Sequence, residues 1–231
     1  MKSMKKDDFQ KRFDSVARSM TFQRIIRQFN LAHRKVLDLG CGYGEYLAHF
    51  GKGSIGFTTS HEEVKTGTER ALDVRFGNVE FLEEYSLPHL IEVVWANNLF
   101  EHLLSPHAFL MKLKRRTISD GLLILGVPVI PKIVSLMFLG RFRGSLASNH
   151  INFFTKETLS LTVERAGWHV ITTRPFWFSS AWLDHVSSQL APHLYVIAKN
   201  DNEFKYPNKK YNEWIADAHY KYLFEVTGQN D

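Results

Sequence analysis

Lys35-Val36-Leu37-Asp38-Leu39-Gly40-Cys41-Gly42-Tyr43-Gly44-Glu45 is the stretch whose reading decides the fold. A short apolar run of strand type, Val36 to Leu39, breaks into glycines at every second position. Glu45-Tyr46-Leu47-Ala48-His49-Phe50 then reads as a helix start. A strand, a glycine-rich turn and a helix make the first unit of a nucleotide-binding α/β fold. Gly40, Gly42 and Gly44 let the backbone turn sharply and approach a ligand with no Cβ in the way. Alone, G-x-G-x-G is a weak signal, and two details sharpen it. Asp38 stands just before the first glycine, at the strand end, where a carboxylate repels a pyrophosphate and suits an amine-bearing ligand. The last glycine of a G-x-G-x-x-G fingerprint is also missing, which disfavours a nicotinamide dehydrogenase.

Val-Leu-Asp-Leu-Gly-Cys-Gly-Tyr-Gly resembles the first motif of class I S-adenosylmethionine-dependent methyltransferases, in particular their small-molecule O-methyltransferase-like branch. The resemblance implies an α/β, Rossmann-like, doubly wound sheet of seven strands, mostly parallel with an antiparallel last strand and helices on both faces. It also implies S-adenosylmethionine as cofactor. In that family the loop wraps the methionine part and an acidic residue near the strand end helps hold its amino group. Carried over, Asp38, Gly40, Cys41, Gly42, Tyr43 and Gly44 become cofactor contacts.

Further stretches resemble later motifs of the family in order, across residues 36–199. Ser54-Ile55-Gly56-Phe57-Thr58 reads as the second strand, and Ser60 with Glu63 fits a capping box for the next helix. The family usually ends this strand with an acidic residue on the ribose hydroxyls. Here that place is Thr58, preceded by Phe57, and Glu62 is a substitute one turn on. Asn78, followed by Val79, stands where an Asp commonly meets the adenine amino group, and its side-chain oxygen still accepts that bond. A shifted register would bring Glu84 there instead. The buried-strand pattern Glu92-Val93-Val94-Trp95-Ala96 leads to Asn97, expected beside the cofactor, and then to Glu101-His102.

Beyond these, Ser105-Pro106 opens a helix ending near Arg116, Asp120-Gly121 reads as a turn, and Leu122 to Val127 is a strongly apolar strand. His150 precedes a helix capped by Thr155 and closed by Gly167. Trp168 to Thr173 and Leu194 to Ala198 are the last two strands.

Methyl transfer from a sulfonium needs alignment above all. A hydroxyl acceptor must also lose a proton, which calls for a base or a metal. His102 and His150 are the candidate bases, with Glu101 beside them. Some ubiquinone-pathway O-methyltransferases and small-RNA 2′-O-methyltransferases bind a divalent metal through a Glu-x-x-Glu-His run. Asn98 replaces the first Glu here, so the expectation is a site without metal, although Glu101, His102 and His150 could form a facial set.

The chain divides into an N-terminal helical lid (1–34), a methyltransferase domain (35–200) with an insert at 129–149, and a C-terminal extension (201–231). Phe9, Phe13, Val16, Met20, Ile25, Ile26 and Phe29 recur at helical spacing in the first part. The insert mixes apolar and basic residues and reads as an acceptor lid, a packed decoration or a peripheral membrane contact. A net charge of +5 is mildly basic but has no concentrated basic patch interleaved with aromatics. DNA is not an expected partner and RNA is disfavoured, leaving a small-molecule or lipid-linked acceptor. A single cysteine, Cys41, excludes an intrachain disulfide. With no signal peptide or membrane span evident, the expected location is cytoplasmic. Two other readings stand beside the enzyme: a methyltransferase-like binding protein without turnover, since Thr58 and Asn78 each remove a carboxylate, and an RNA 2′-O-methyltransferase.

Overall fold

The computed structural model describes residues 6–87, 90–132 and 149–215. Among them seven strands form one sheet: β1 Val36–Leu39, β2 Ile55–Thr58, β3 Val74–Phe76, β4 Ile91–Asn97, β5 Thr117–Pro128, β6 Trp168–Arg174 and β7 His193–Asn200. Their order across the sheet is β3-β2-β1-β4-β5-β7-β6. Strands β1 to β5 run parallel, and β7 runs antiparallel between β5 and β6. This is the Rossmann-like methyltransferase architecture.

Alternation along the strands feeds two cores. Leu37, Leu39, Val94, Ala96, Leu123 and Leu125 face one side. There they meet helices α4 (Pro106–Arg116) and α5 (Lys156–Arg165) through Phe109, Leu110, Leu159 and Val163. Val36, Val93, Trp95, Ile124 and Ile197 face the other side and are covered by α2 (Met20–Gln28) through Phe22, Ile25 and Ile26. Helix α1 (Lys6–Arg18) precedes it. Helix α3 (His61–Glu69) packs at the β2–β3 edge, while α6 (Ala181–Ser187) follows β6 and α7 (Asn208–Ile215) follows β7.

Capping follows the sequence. Thr155 and Thr158 make a reciprocal capping box on α5, and Gly167, with φ +83°, follows its end. Pro106 occupies the first turn of α4, where its missing N–H costs nothing.

Three local expectations are corrected. After the glycine loop there is only a 3₁₀ turn, Leu47–His49, in place of a helix. Gly51 stops it: a Cβ there would lie 2.6 Å from the Arg34 carbonyl oxygen, so the chain turns back close against the entry to β1. In the N-terminal helices Met20 is 69% exposed, and Phe22 is the buried anchor, edge-on to Tyr46 and Trp95. Asp120 and Gly121 lie within β5 rather than in a turn between helix and strand. Asp120 takes φ +57°, and the β4–β5 register shifts between Ile91 and Val93, so the strand bends without ending. Most of the 129–149 insert (133–148) and the end of the extension (216–231) lie outside the described residues. Among the described residues no helix is long and apolar enough to cross a membrane.

Candidate active site

The carboxyl ends of β1, β2 and β4 open onto a cleft of two lobes, both bordered by Gly40 and Gly42. Parallel sheets bind ligands at this rim. Both glycines have positive φ, +71° and +56°, a region that other residues enter only with strain. The Cys41 N–H donates to the Phe57 carbonyl (2.9 Å) and the Gly44 N–H to the Cys41 carbonyl (2.9 Å), which pins the loop to the end of β2. Cys41 lines the cleft, but its thiol is buried against Gly56, and burial pushes that thiol well above its ordinary range.

The first lobe, about 440 Å³, is lined by Phe57, Thr58, Glu63, Asn78, Val79 and His102 among others. The Thr58 hydroxyl accepts the Ser60 N–H (3.2 Å) and donates to the Glu63 carboxylate. The capping box therefore forms by half. Ser60 Oγ accepts the Glu63 N–H (3.4 Å), but the Glu63 side chain turns from the cap toward Thr58 and the lobe. Glu62 is exposed and does not line this lobe. Asn78 Oδ1 accepts the Glu80 N–H (3.0 Å), capping the turn Val79–Glu84 and leaving one lone pair for another donor. Glu84 is absent from the lobe lining.

The second lobe, about 400 Å³, is lined by Arg12, Ser15, Glu45, Tyr46, Asn97 and Asn98 among others. Arg12 Nε, on α1, stands 2.5 Å from Glu45 Oε1, and Glu45 is buried. Asn97 Nδ2 donates to the Tyr46 hydroxyl (3.2 Å). Asp38 lines neither lobe. It is 1% exposed, one of its oxygens has no hydrogen-bond partner among the described residues, and burial, then the neighbouring Glu45, pushes its carboxyl well above the usual carboxylate range. Tyr43 also lies outside both linings; Phe9 packs edge-on against its ring and Arg12 lies over it. Gly44 is absent from both as well, close to Leu72. The carboxylates on the cleft are thus Glu63 and Glu80, the latter accepting the Leu104 N–H, in the first lobe and Glu45 in the second, rather than Glu62 or Asp38. Glu63 was hidden by its fit to a capping box, and Arg12 carried no sequence signal because α1 is distant in the chain.

Past β4 the turn Phe100–His102 brings Glu101 beneath the first lobe and His102 onto its wall. A strap of residues 149–154 lies against this turn. The Ile151 and Asn152 N–H groups both donate to the Glu101 carbonyl (3.1 and 3.0 Å), and Asn152 Nδ2 donates to the Leu103 carbonyl (2.6 Å). Further on, Val129 bridges Phe154 beyond the end of β5. The strap carries His150 to within 3.9 Å of Glu101 Oε1, while His102 Nε2 lies 3.7 Å from the same oxygen. The three residues named as candidate catalytic groups are therefore one cluster.

A methyltransferase-domain family model matches residues 11–173 of the chain. The chain belongs to this family, and with this fold it is a class I S-adenosylmethionine-dependent methyltransferase. Among solved structures, it resembles a Thermotoga maritima protein described as an S-adenosylmethionine-dependent methyltransferase, possible histamine N-methyltransferase, at 15% identity and TM-score 0.57, covering 84% of this chain and 96% of that one. An S-adenosylmethionine-dependent methyltransferase of Archaeoglobus fulgidus matches at 20% identity and TM-score 0.53, over 78% and 94% of the two chains. One from Mesorhizobium loti matches at 13% identity and TM-score 0.57, over 80% and 99%. At these identities the likeness is one of fold. No curated protein matches the chain.

Proposed function

We propose that S-adenosylmethionine spans both lobes and that its methyl group passes to an oxygen of a small-molecule or lipid-linked acceptor beside His102. The observation that carries this reading is the pair of lobes joined at Gly40 and Gly42, with complementary polar groups at each end. In the first lobe Glu63, held by Thr58, offers the ribose a charged acceptor, and Asn78 and Val79 border the adenine position. In the second, Arg12 and Glu45 form a cation–anion pair that matches the carboxylate and ammonium of the aminoacyl end. Helix α1 contributes Arg12, Ser15 and Val16 to this lobe, which supports its role as a lid.

The reaction is an in-line displacement. The acceptor oxygen forms a bond to the methyl carbon, the carbon–sulfur bond breaks, and the sulfur leaves with that electron pair as a neutral thioether. The chain's main contribution is to hold donor and acceptor in line. The acceptor's proton leaves toward the Glu101–His102–His150 cluster, of which His102, half-buried, is the member on the lobe wall. Because Glu63 and Arg12–Glu45 supply the contacts that Thr58 and Asp38 lack, the cleft favours an enzyme over a binding protein without turnover.

Calorimetric titration with S-adenosylhomocysteine and with adenosine tests the donor half. The product nucleoside should bind with micromolar affinity and adenosine at least tenfold more weakly. Absence of product binding at millimolar concentration would overturn the reading. For the acceptor half, donor labelled in its methyl group is incubated with small hydroxylated compounds, with lipid extract and with RNA. Label confined to RNA, or to nitrogen, would overturn it.

A further inference from the structure

Helix α6 is built inside out for a helix in water. With the turn that continues it, it sets Trp182, Leu183, Val186 and Leu190 on one stripe of about 100°, the width that ordinarily faces a core. All four are exposed, Trp182 by 70% and Leu190 by 55%. The opposite face is polar and turned inward: Asp184 is 0% exposed, and Ser188 is buried as well. Just upstream, Trp177 and Phe178 are exposed too. A lone exposed apolar residue is ordinary. Six along one crossover, two of them tryptophans, mark an interaction surface.

The inward face is fastened. Asp184 Oδ2 lies 3.3 Å from Arg174 Nη1, and Asp184 Oδ1 accepts the Phe178 N–H (2.9 Å). Lys156 Nζ donates to Ser188 Oγ (2.8 Å), and Arg24, on α2, donates to the Phe176 and Trp177 carbonyls. Rolling α6 to hide its stripe would break the buried Arg174–Asp184 pair, which is strongly destabilising. The exposure therefore belongs to the fold. Its position is equally fixed. β7 pairs His193 with Pro128 and Tyr195 with Arg174, so both ends of the crossover lie at the carboxyl rim, the rim that holds the cleft. Val129, which bridges Phe154, also donates its N–H to the Pro192 carbonyl (2.9 Å), tying the crossover to the strap that carries His150. The charge here has one sign. From 175 to 192 the only acidic residue is Asp184, buried in its ion pair, and from 121 to 156 the sequence holds four basic residues and no acidic one.

We propose that the β6–β7 crossover seats the carboxyl rim on an anionic bilayer surface and that the cleft draws a lipid-borne acceptor from it. Tryptophan and phenylalanine rings suit the headgroup boundary, where one end is apolar and the other wet. Basic neighbours without an exposed carboxylate suit anionic headgroups. The contact lies on the crossover, whereas sequence patterning pointed to the 129–149 insert. The inference rests on the cleft being the methyltransferase site, and it narrows the acceptor to one carried by lipid.

The test floats the full chain with vesicles of phosphatidylcholine alone and of phosphatidylcholine mixed with phosphatidylglycerol. The chain should partition to the mixed vesicles with a blue shift of its tryptophan emission, and to the neutral ones at least tenfold more weakly. Trp182→Ser combined with Val186→Ser should lose at least tenfold in partition yet melt no lower than the wild type, because both side chains stand in water. Leu161→Ser, at an exposed leucine on α5, is the control and should partition as the wild type. With methyl-labelled donor and lipid extract, label should enter lipid, and the double variant should transfer at least tenfold less. Absence of partition, equal partition to both vesicles, or equal partition by the double variant would overturn the proposal. So would a double variant that melts well below the wild type, since that marks a stripe packed against the chain itself. A concentration-dependent dimer that the double variant loses would assign the stripe to a second copy and overturn it as well. Label confined to water-soluble compounds would overturn the lipid-borne acceptor. S-adenosylhomocysteine binding is measured on the same samples. If it persists while partition fails, only the docking proposal falls; if it is absent, the reading of the cleft falls.

Discussion

Glu63→Gln should weaken S-adenosylhomocysteine binding about tenfold while leaving the fold intact. The substitution keeps shape and one acceptor oxygen but removes the charge that Thr58 holds toward the first lobe. Hydrogen bonds to a charged group contribute about 1.5–3 kcal/mol, against about 1 kcal/mol for a neutral one. The difference, about 0.5–2 kcal/mol, corresponds to roughly a 2- to 30-fold rise in Kd. The Thr58 hydroxyl still finds an acceptor in the amide oxygen, so the local cap survives. Glu62→Gln, one residue away and exposed, serves as the control and should bind as the wild type. Isothermal titration with S-adenosylhomocysteine and with its 2′,3′-dideoxy analogue completes a cycle. The analogue should bind wild type and Glu63→Gln equally, since the contact at issue is to the ribose hydroxyls. An unchanged Kd for Glu63→Gln, an equal loss in Glu62→Gln, or a loss that persists with the dideoxy analogue would refute the assignment.

Gly126→Ala should cost about 1–3 kcal/mol of stability by overpacking, or more, because its Cβ would fall 2.1 Å from Asn97 Oδ1 and 2.6 Å from the Tyr195 ring; a urea midpoint equal to the wild type would contradict this. Asp38→Asn should gain on the wild type as pH rises. With its carboxyl raised in the fold by burial and Glu45, the native state binds the proton more tightly than the unfolded chain, whose value is about 3.9. Wild-type stability is therefore greatest below about pH 4 in this respect and is lost as pH climbs toward the folded value. Urea unfolding at pH 4.5, 6 and 7.5 should show the gap between variant and wild type widening; a constant or shrinking gap would count against it.

Strands were the most legible part of the sequence. Val93-Val94-Trp95 and the run from Leu122 to Val127 are buried on both faces, and such runs have few alternatives to a central strand. The glycine loop was equally readable, because positive φ at Gly40 and Gly42 is a local property. The element after it was not. Glu45 to Phe50 has helical composition, but close approach of Gly51 to the Arg34 backbone, set by tertiary packing, ends it after one turn. In the site, motif position pointed to Asp38 and Thr58. Which carboxylates border the cleft depended on side-chain direction, and a local capping pattern gave Glu63 a different job on paper. The joining of Glu101, His102 and His150 is suggested by residue type and by the likeness to a Glu-x-x-Glu-His run with a later His. Their actual convergence depends on the strap's bonds to the Glu101 carbonyl, which spacing along the chain does not encode.

The stunted turn at Leu47–His49 has one more effect. With no full crossover helix between β1 and β2, the wall over Val36, Trp95 and Ile124 is supplied from upstream by Phe22, Ile25 and Ile26. The opening residues are thus masonry of the core. A shortened version starting at Lys35 would strip Phe22 from Trp95, leaving Tyr46, Phe50 and Tyr195 against it, and would open the apolar face of Val36 and Ile124 to water, so trimming the chain to its recognisable motifs should cost solubility before it yields a minimal catalyst.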